Sequence, residues 1–159
     1  LKDAPLSLDI DIGQGMSLRT AVGIVTRLFG VQAPKSTTFL QGRSAAEAVE
    51  NRELDTVFSS EWGRIFGLAR GGRDFLESEF HQAGMKVARS VEREFGSWTL
   101  AGYVSDDAEL VLLALRVGLE DEWLNSLLCH YIAHEFPPGK TRAQTGTLST
   151  LLAAYAAAN

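Results

Sequence analysis

The chain has 159 residues, of which 45% are hydrophobic and 22% are charged, and its formal net charge is −5. This composition is typical of a globular protein and excludes an intrinsically disordered chain, which needs low hydrophobicity and a high net charge. Domains that bind nucleic acid usually carry a basic surplus, so the acidic balance argues against a nucleic-acid partner.

Length and cysteine content limit the organisation of the chain further. A chain of this length fits one domain, which we place at residues 1–159. The single cysteine excludes an internal disulfide and favours a cytoplasmic location. No run of about 20 apolar residues predicts a transmembrane helix, and the first residues lack the apolar segment of a signal peptide.

Residues 1–42 are predicted to form a strand, a helix and a connector. Residues 6–12 alternate between apolar and polar side chains, which predicts a β-strand. Ser17 has the residue type of a helix N-cap, and apolar residues follow it at helical spacing up to Gly30, which closes the helix. Residues 37–40 predict a second short strand or no regular structure.

Residues 43–159 are predicted to be helical. Ser44 and Glu47 have the spacing of a capping box, which predicts a helix up to about Leu54. Further helices are predicted at residues 57–69 and 73–95 from their apolar periodicity.

The second half of this region continues the helical pattern. The uncharged residues 98–104 are predicted to be a buried connector or a contact surface. A helix is predicted to begin at Ser105, and its residues 110–115 are apolar nearly all round, which indicates a central, buried helix. Two more helices are predicted at residues 123–135 and 147–157.

The pattern as a whole predicts a mainly α protein: a single-domain bundle of about five to seven helices with a short extended N-terminal segment. The apolar positions at helical spacing are predicted to form the core: Leu18, Val22, Val25, Phe66, Phe80, Val87, Val91, Leu112, Leu115, Leu124, Leu128 and Leu152.

Two of the three histidines are close together in the sequence. His130 and His134 are four residues apart, so on a helix both side chains would project from one face, and Glu135 follows them. Imidazole and carboxylate groups are zinc ligands, so these residues, with His81 or Glu77 from another helix, are candidate metal ligands. The order of the residues does not match the His-Glu-x-x-His motif. We therefore favour histidines at an interface or partly exposed near a helix end, and predict no cofactor, with a divalent metal as the alternative.

Three arginines flank the pair of glycines at residues 71 and 72. Arg64, Arg70 and Arg73 are candidates for a corner that binds an anion at a helix N-terminus. A solvated turn is the interpretation that we favour, because arginines are common on surfaces.

The C-terminal region carries no charged residue from residue 143 to the end. A terminal helix normally has a polar face unless it is covered. The last helix is therefore predicted either to complete the core or to bind a protein, through Leu148, Leu151, Leu152 and Tyr155. The uncharged segment with Trp98 and Tyr103 is a second candidate contact surface, because aromatic residues are enriched at interfaces.

These features favour a non-catalytic protein–protein interaction or assembly module, which is a component or an excised domain of a larger complex. Its partner is predicted to be another protein or a second copy of the chain. The alternative is a metal-binding or hydrolytic enzyme domain centred on His130, His134 and Glu135. One equivalent of metal that is lost when either histidine is replaced by alanine would decide for the enzyme.

Overall fold

The computed structural model describes residues 8–31, 36–70, 78–140 and 146–159. Within these ranges the protein is mainly helical, as the sequence predicts, and it contains eight helices. They are α1 (Leu18–Phe29), α2 (Ser36–Phe39), α3 (Ala45–Leu54), α4 (Thr56–Ala69), α5 (Ser78–Phe95), α6 (Trp98–Val117), α7 (Glu122–Ile132) and α8 (Leu148–Ala158).

Helix α6 is the centre of the bundle. It contacts α1, α3, α4, α5 and α8, and its most extensive contact is with α5. All residues from Leu110 to Leu115 are buried, so the prediction of a central, buried helix is confirmed. Helix α7 packs against α1 and α8. None of the helices in the described part of the chain is long and apolar enough to cross a membrane.

Two helices begin where the sequence predicts. The Ser17 side chain accepts a hydrogen bond from the backbone N–H of Thr20 at 3.1 Å and caps α1. At α3, the Ser44 side chain accepts from the N–H of Glu47 while the Glu47 carboxylate accepts from the N–H of Ser44. Each cap satisfies backbone donors that a helix N-terminus leaves without an intrahelical partner, so a short sequence pattern is sufficient to specify it.

The predicted strand at residues 6–12 is not formed in its described part, residues 8–12; residues 1–7 lie outside the description. Only an isolated antiparallel bridge joins Asp11 to Ser17. The segment folds back on the start of α1, where the N–H groups of Leu18 and Arg19 donate to the carbonyls of Ile10 and Leu8 at 2.9 and 2.8 Å. Its apolar side chains pack against the core, which explains the alternating pattern. The backbone partner is therefore the first turn of a helix rather than another strand.

Two further segments differ from the prediction. Residues 37–40 do not form a strand, because Ser36–Phe39 form the short helix α2, whose Phe39 is buried. Residues 98–104 are not a connector, and no helix begins at Ser105. Both belong to α6, which begins after the N-cap Ser97. The acidic pair after Ser105 has the composition of a first turn, but burial of one helix face along all of α6 outweighs this local signal.

The predicted core is largely confirmed. Ten of its twelve residues are buried, and Val22 and Phe66 are partly buried and pack against the core. In the C-terminal helix, Leu148, Leu152 and Tyr155 are buried, and α8 contacts α1, α6 and α7. This face of α8 therefore completes the core, which is the first of the two roles that its lack of charge predicts.

Candidate functional site

A buried arginine lies on the inner face of α3. The Arg52 side chain is only 4% exposed, and its two terminal nitrogens donate to the carboxylate of Asp107 on α6, at 3.1 and 3.4 Å. A buried guanidinium is tolerated only if a carboxylate and further hydrogen bonds compensate for its lost hydration. The pair therefore holds α3 against the central helix.

The same carboxylate joins a third helix. The hydroxyl of Tyr131 on α7 donates to Asp107 at 2.5 Å, and Arg52 also donates to the carbonyl of Pro137 at 3.4 Å. Burial raises the pKa of Asp107, while the guanidinium and the tyrosine hydroxyl act against this rise. Burial and the nearby carboxylate raise the pKa of Tyr131, so its hydroxyl remains a donor. The network thus connects α3, α6 and α7.

Aromatic rings surround the guanidinium. Its central carbon lies 3.5 Å from the ring centre of Phe58, 4.2 Å from that of Phe136 and 5.6 Å from that of Tyr103. Such contacts between a cation and aromatic faces are favourable, most of all where water is excluded. The Nε of Arg52 is buried and has no hydrogen-bond partner among the described residues. One donor of the guanidinium is therefore left without a hydrogen bond inside the described part of the protein.

A cavity of about 340 Å³ lies beside this network, between α3, α4 and α6. Its walls are aromatic and acidic: Arg52 and Glu53 of α3, Phe58 and Trp62 of α4, and Tyr103 and Asp106 of α6. Its volume is at the lower end of the range for pockets that hold a small ligand or a side chain.

Two carboxylates of the cavity are not paired with the arginine. Glu53 accepts a hydrogen bond from the hydroxyl of Tyr103 at 3.0 Å. Burial, and then the neighbouring carboxylate of Asp107, raise the pKa of Asp106. Since Arg52 is neutralised by Asp107, Glu53 and Asp106 leave the cavity with a surplus of negative charge.

The segment after α7 fixes the position of α4. Asp55, the N-cap of α4, accepts from the N–H of Phe58 at 2.9 Å and from the N–H of Gly139 at 2.8 Å. The indole N–H of Trp123 donates to the carbonyl of Gly139 at 3.0 Å. The backbone of this glycine is therefore held on both sides, and through Asp55 it sets the position of the α4 wall of the cavity.

Gly139→Ala is expected to lower the free energy of unfolding by about 1–3 kcal/mol, because a Cβ there would clash with the backbone nitrogen of Phe58 and with the Asp55 carboxylate. Gly102→Ala is the matched control, since nothing lies within 4 Å of a Cβ at this position inside α6. It is expected to stabilise the protein by about 0.5–1 kcal/mol. Urea unfolding of both variants tests the pair, and equal effects of the same sign would contradict this account of the loop.

Apolar side chains lie next in the chain to two residues of the cavity wall. Leu54, after Glu53, is 72% exposed, and Val57, before Phe58, is 51% exposed. Both are at the corner between α3 and α4. Two large apolar side chains so close to a polar cavity are suited to contact with another protein.

Comparison with known proteins identifies the family of the chain. The family model described as Immunity protein PIM1 matches residues 28–138, more than two thirds of the chain. The chain belongs to this immunity protein family. The matched region includes all six of the cavity residues named above and leaves out α8 and most of α1. No curated protein and no solved structure shows significant similarity to the chain.

In this member of the PIM1 immunity protein family the histidines do not have the predicted arrangement. Helix α7 ends at Ile132, so the premise that His130 and His134 share a helix face is wrong. The N–H groups of His134 and Glu135 bond to the carbonyls of Tyr131 and His130, both at 2.9 Å, and His134 has a φ of 59°. This is a Schellman motif with histidine in the left-handed position where glycine is usual.

Of the candidate metal ligands, His130 and Glu135 are in contact, whereas His81 contacts a carboxylate on another helix. The Nδ1 of His130 lies 3.2 Å from the Oε2 of Glu135. His81, on α5, lies 3.9 Å from the carboxylate of Glu109 on α6. Glu77 is outside the described residues. In the part of the chain that the structure describes, no group of three histidine, cysteine, aspartate or glutamate side chains could hold a metal ion.

Arg64, in the predicted anion-binding corner, is already bound to two carboxylates. Arg64 binds the carboxylates of Asp121, at 2.8 Å, and Glu61, at 2.5 Å, and these hydrogen bonds raise its pKa. A guanidinium that two carboxylates already neutralise is poorly suited to bind an anion. Arg70 is exposed at the end of α4, and Arg73 lies outside the described residues.

The predicted contact residues are in different places. Trp98 is 62% exposed at the start of α6, whereas Tyr103, in the same helix, lines the cavity. On α8, Leu151 is partly buried, and Leu148, Leu152 and Tyr155 are the buried residues described above. Of the sequence candidates that lie in the described part of the chain, only Tyr103 belongs to the cavity.

Arg52 and Asp107 are not among the site residues predicted above, although the sequence contains a signal for them. Arg52 follows Ala45 and Ala48 at the spacing of the inner face of α3. Asp107 stands between Val104 and Val111 in the buried stripe of α6. One arginine and one aspartate on apolar stripes of different helices indicate a buried ion pair, because either charge would be strongly destabilising if it were buried without the other.

Proposed function

We propose that this protein neutralises a toxin protein by binding to it, without catalysing a reaction. The observation that carries the proposal is the match of the PIM1 immunity protein family over residues 28–138. The acidic cavity and the exposed apolar residues beside it support this proposal, because they offer a contact surface to a protein partner. The acidic net charge disfavours nucleic acid as that partner.

A rescue experiment tests the proposal. Each reading frame that neighbours the gene of this chain is expressed in a bacterial host, with and without the chain, and growth is recorded. We expect one neighbour to arrest growth, and we expect the chain to restore it and to form a complex with it that survives size-exclusion chromatography. A neighbour that arrests growth and is not counteracted, or a rescue without a stable complex, would contradict neutralisation by binding.

The apolar corner gives a directed test of the contact. Leu54→Asp and Val57→Asp together are expected to weaken toxin binding by about 2 kcal/mol, roughly thirtyfold in Kd, because they place charges in a desolvated contact. Val117→Asp is the control, since this residue is 45% exposed at the end of α6 and is not a wall of the cavity. Isothermal titration calorimetry measures the affinities. A larger loss in the control than in the double variant would place the contact elsewhere.

A second copy of the chain is the other partner that the sequence analysis favours. Light scattering of the purified chain over a concentration series measures self-association directly. A mass that rises to that of a dimer, and falls when the toxin is added, would show that the same surface serves both partners.

A further inference from the structure

We infer that the cavity between α3, α4 and α6 receives one cationic side chain, arginine or lysine, from the partner protein. This inference rests on the proposed function, because it specifies the chemistry of the partner at one place. It concerns Glu53, Asp106, Trp62 and Tyr103.

The first argument is charge complementarity. The positive charge of Arg52 is matched by Asp107, which contacts both of its terminal nitrogens. Glu53 receives a hydrogen bond only from the neutral hydroxyl of Tyr103 in the described part of the chain, and burial and Asp107 raise the pKa of Asp106. An incoming guanidinium or ammonium group would stabilise both carboxylates in their charged form.

The second argument is the nature of the walls. Trp62 and Tyr103 present aromatic rings to the cavity. Trp62 is stacked on Phe66 with ring centres 5.2 Å apart and 16° between the ring planes, which holds the indole in one orientation. Aromatic faces attract cations and also pack against the aliphatic part of a lysine or arginine side chain. Carboxylates beside aromatic rings therefore fit a basic side chain better than a small hydrated metal ion.

The test uses N-acetyl-arginine N-methylamide as the probe and the citrulline analogue as its neutral control. Both are titrated into the ¹⁵N-labelled chain, and the indole N–H signals are followed by NMR. The chain has three tryptophans, of which only Trp62 lines the cavity. We expect a saturable shift of the Trp62 signal with the arginine probe, little change at Trp98 and Trp123, and affinity for the citrulline probe lower by roughly tenfold or more.

Variants separate the cavity from general charge effects. Glu53→Gln combined with Asp106→Asn is expected to abolish the shift of Trp62 and to weaken toxin binding by roughly tenfold or more. Glu94→Gln combined with Glu120→Gln makes the same charge change at exposed positions outside the cavity. This control is expected to change the affinity for the arginine probe and the affinity for the toxin by less than about twofold each. Circular dichroism of each variant verifies that it is folded.

The outcomes distinguish this inference from the proposed function. Equal shifts with arginine and citrulline, or a double variant that binds the arginine probe as the unchanged chain does, would overturn the inference. If the chain and the cavity variant both restore growth and bind the toxin with the same affinity, the proposed function stands and the inference fails. If the arginine probe binds in the cavity but the chain restores growth against none of the neighbouring gene products, the proposed function fails while the chemistry of the cavity stands.

Discussion

Replacing Asp107 by asparagine is expected to lower the free energy of unfolding by about 3–5 kcal/mol, because the substitution leaves the buried guanidinium of Arg52 without its counter-charge. Asparagine has nearly the same shape as aspartate and can still accept a hydrogen bond. The loss of stability therefore reflects the missing charge rather than a packing defect. The Tyr131 hydroxyl also loses its charged acceptor. Urea unfolding monitored by circular dichroism measures the change.

The neighbouring residue provides the control. Asp106→Asn makes the same chemical change one position earlier in α6, at a side chain on the open cavity wall rather than in the core, and is expected to change stability by no more than about 0.5 kcal/mol. A double variant, Arg52→Met with Asp107→Leu, removes both charges and is expected to recover part of the stability, because the buried Tyr131 hydroxyl still loses its acceptor. Equal losses for the two asparagine variants would show that the buried pair contributes little.

Leu152→Ala is expected to lower the free energy of unfolding by about 2–5 kcal/mol, because this residue of α8 is fully buried and its loss leaves a cavity in the core. The expected loss follows from the packing of α8 on α1, α6 and α7. Ala154→Ser, at an exposed position of the same helix, is expected to cost no more than about 0.5 kcal/mol. Thermal and urea unfolding measure both effects.

The same variant separates the two roles predicted for the uncharged C-terminal region. If α8 serves the core, Leu152→Ala lowers stability and leaves the mass in light scattering unchanged. If the helix instead serves mainly to join two chains, the variant lowers the mass and leaves the unfolding curve of the monomer almost unaltered. The complete burial of Leu152 within one chain supports the first outcome.

The buried pair and the cavity have complementary roles in the proposed binding. Arg52 contributes its guanidinium to the wall of the cavity, but its charge is matched inside the protein by Asp107. Glu53 and Asp106 form no ion pair among the described residues, so in the proposed binding they would favour a positive charge on the partner. A rigid wall also lowers the entropic cost of binding, because fewer side chains must be ordered when the partner arrives.

Local features of the structure could be predicted from the sequence because neighbouring residues produce them. The caps at Ser17 and Ser44 involve residues three positions apart, and the apolar stripes that define α1 and α5 repeat within a few turns. Helix α5 ends at Phe95, where the helix predicted at residues 73–95 ends, and Gly96 follows with a φ of 65°. The mainly α fold and most of the core follow from these local patterns.

Predictions were wrong where a local signal competed with contacts distant in sequence. The alternating residues 8–12 resemble a strand but pair with the first turn of α1. The acids after Ser105 resemble a helix start but lie within α6, because burial along the whole helix outweighs the preference of a few residues. Histidine is unusual in the left-handed position that ends α7, so no residue type near His134 indicates that it lies outside the helix.

The sequence by itself therefore determined the helices, their caps and most of the apolar core, since each depends on residues within a few turns. Only the tertiary structure decided the candidate site. Arg52 and Asp107 are 55 residues apart, and Arg52 and Pro137 are 85 apart. Packing of α3, α4 and α6 brings Glu53, Trp62 and Asp106 to one cavity, and no periodicity within one helix specifies which residues of another helix it meets.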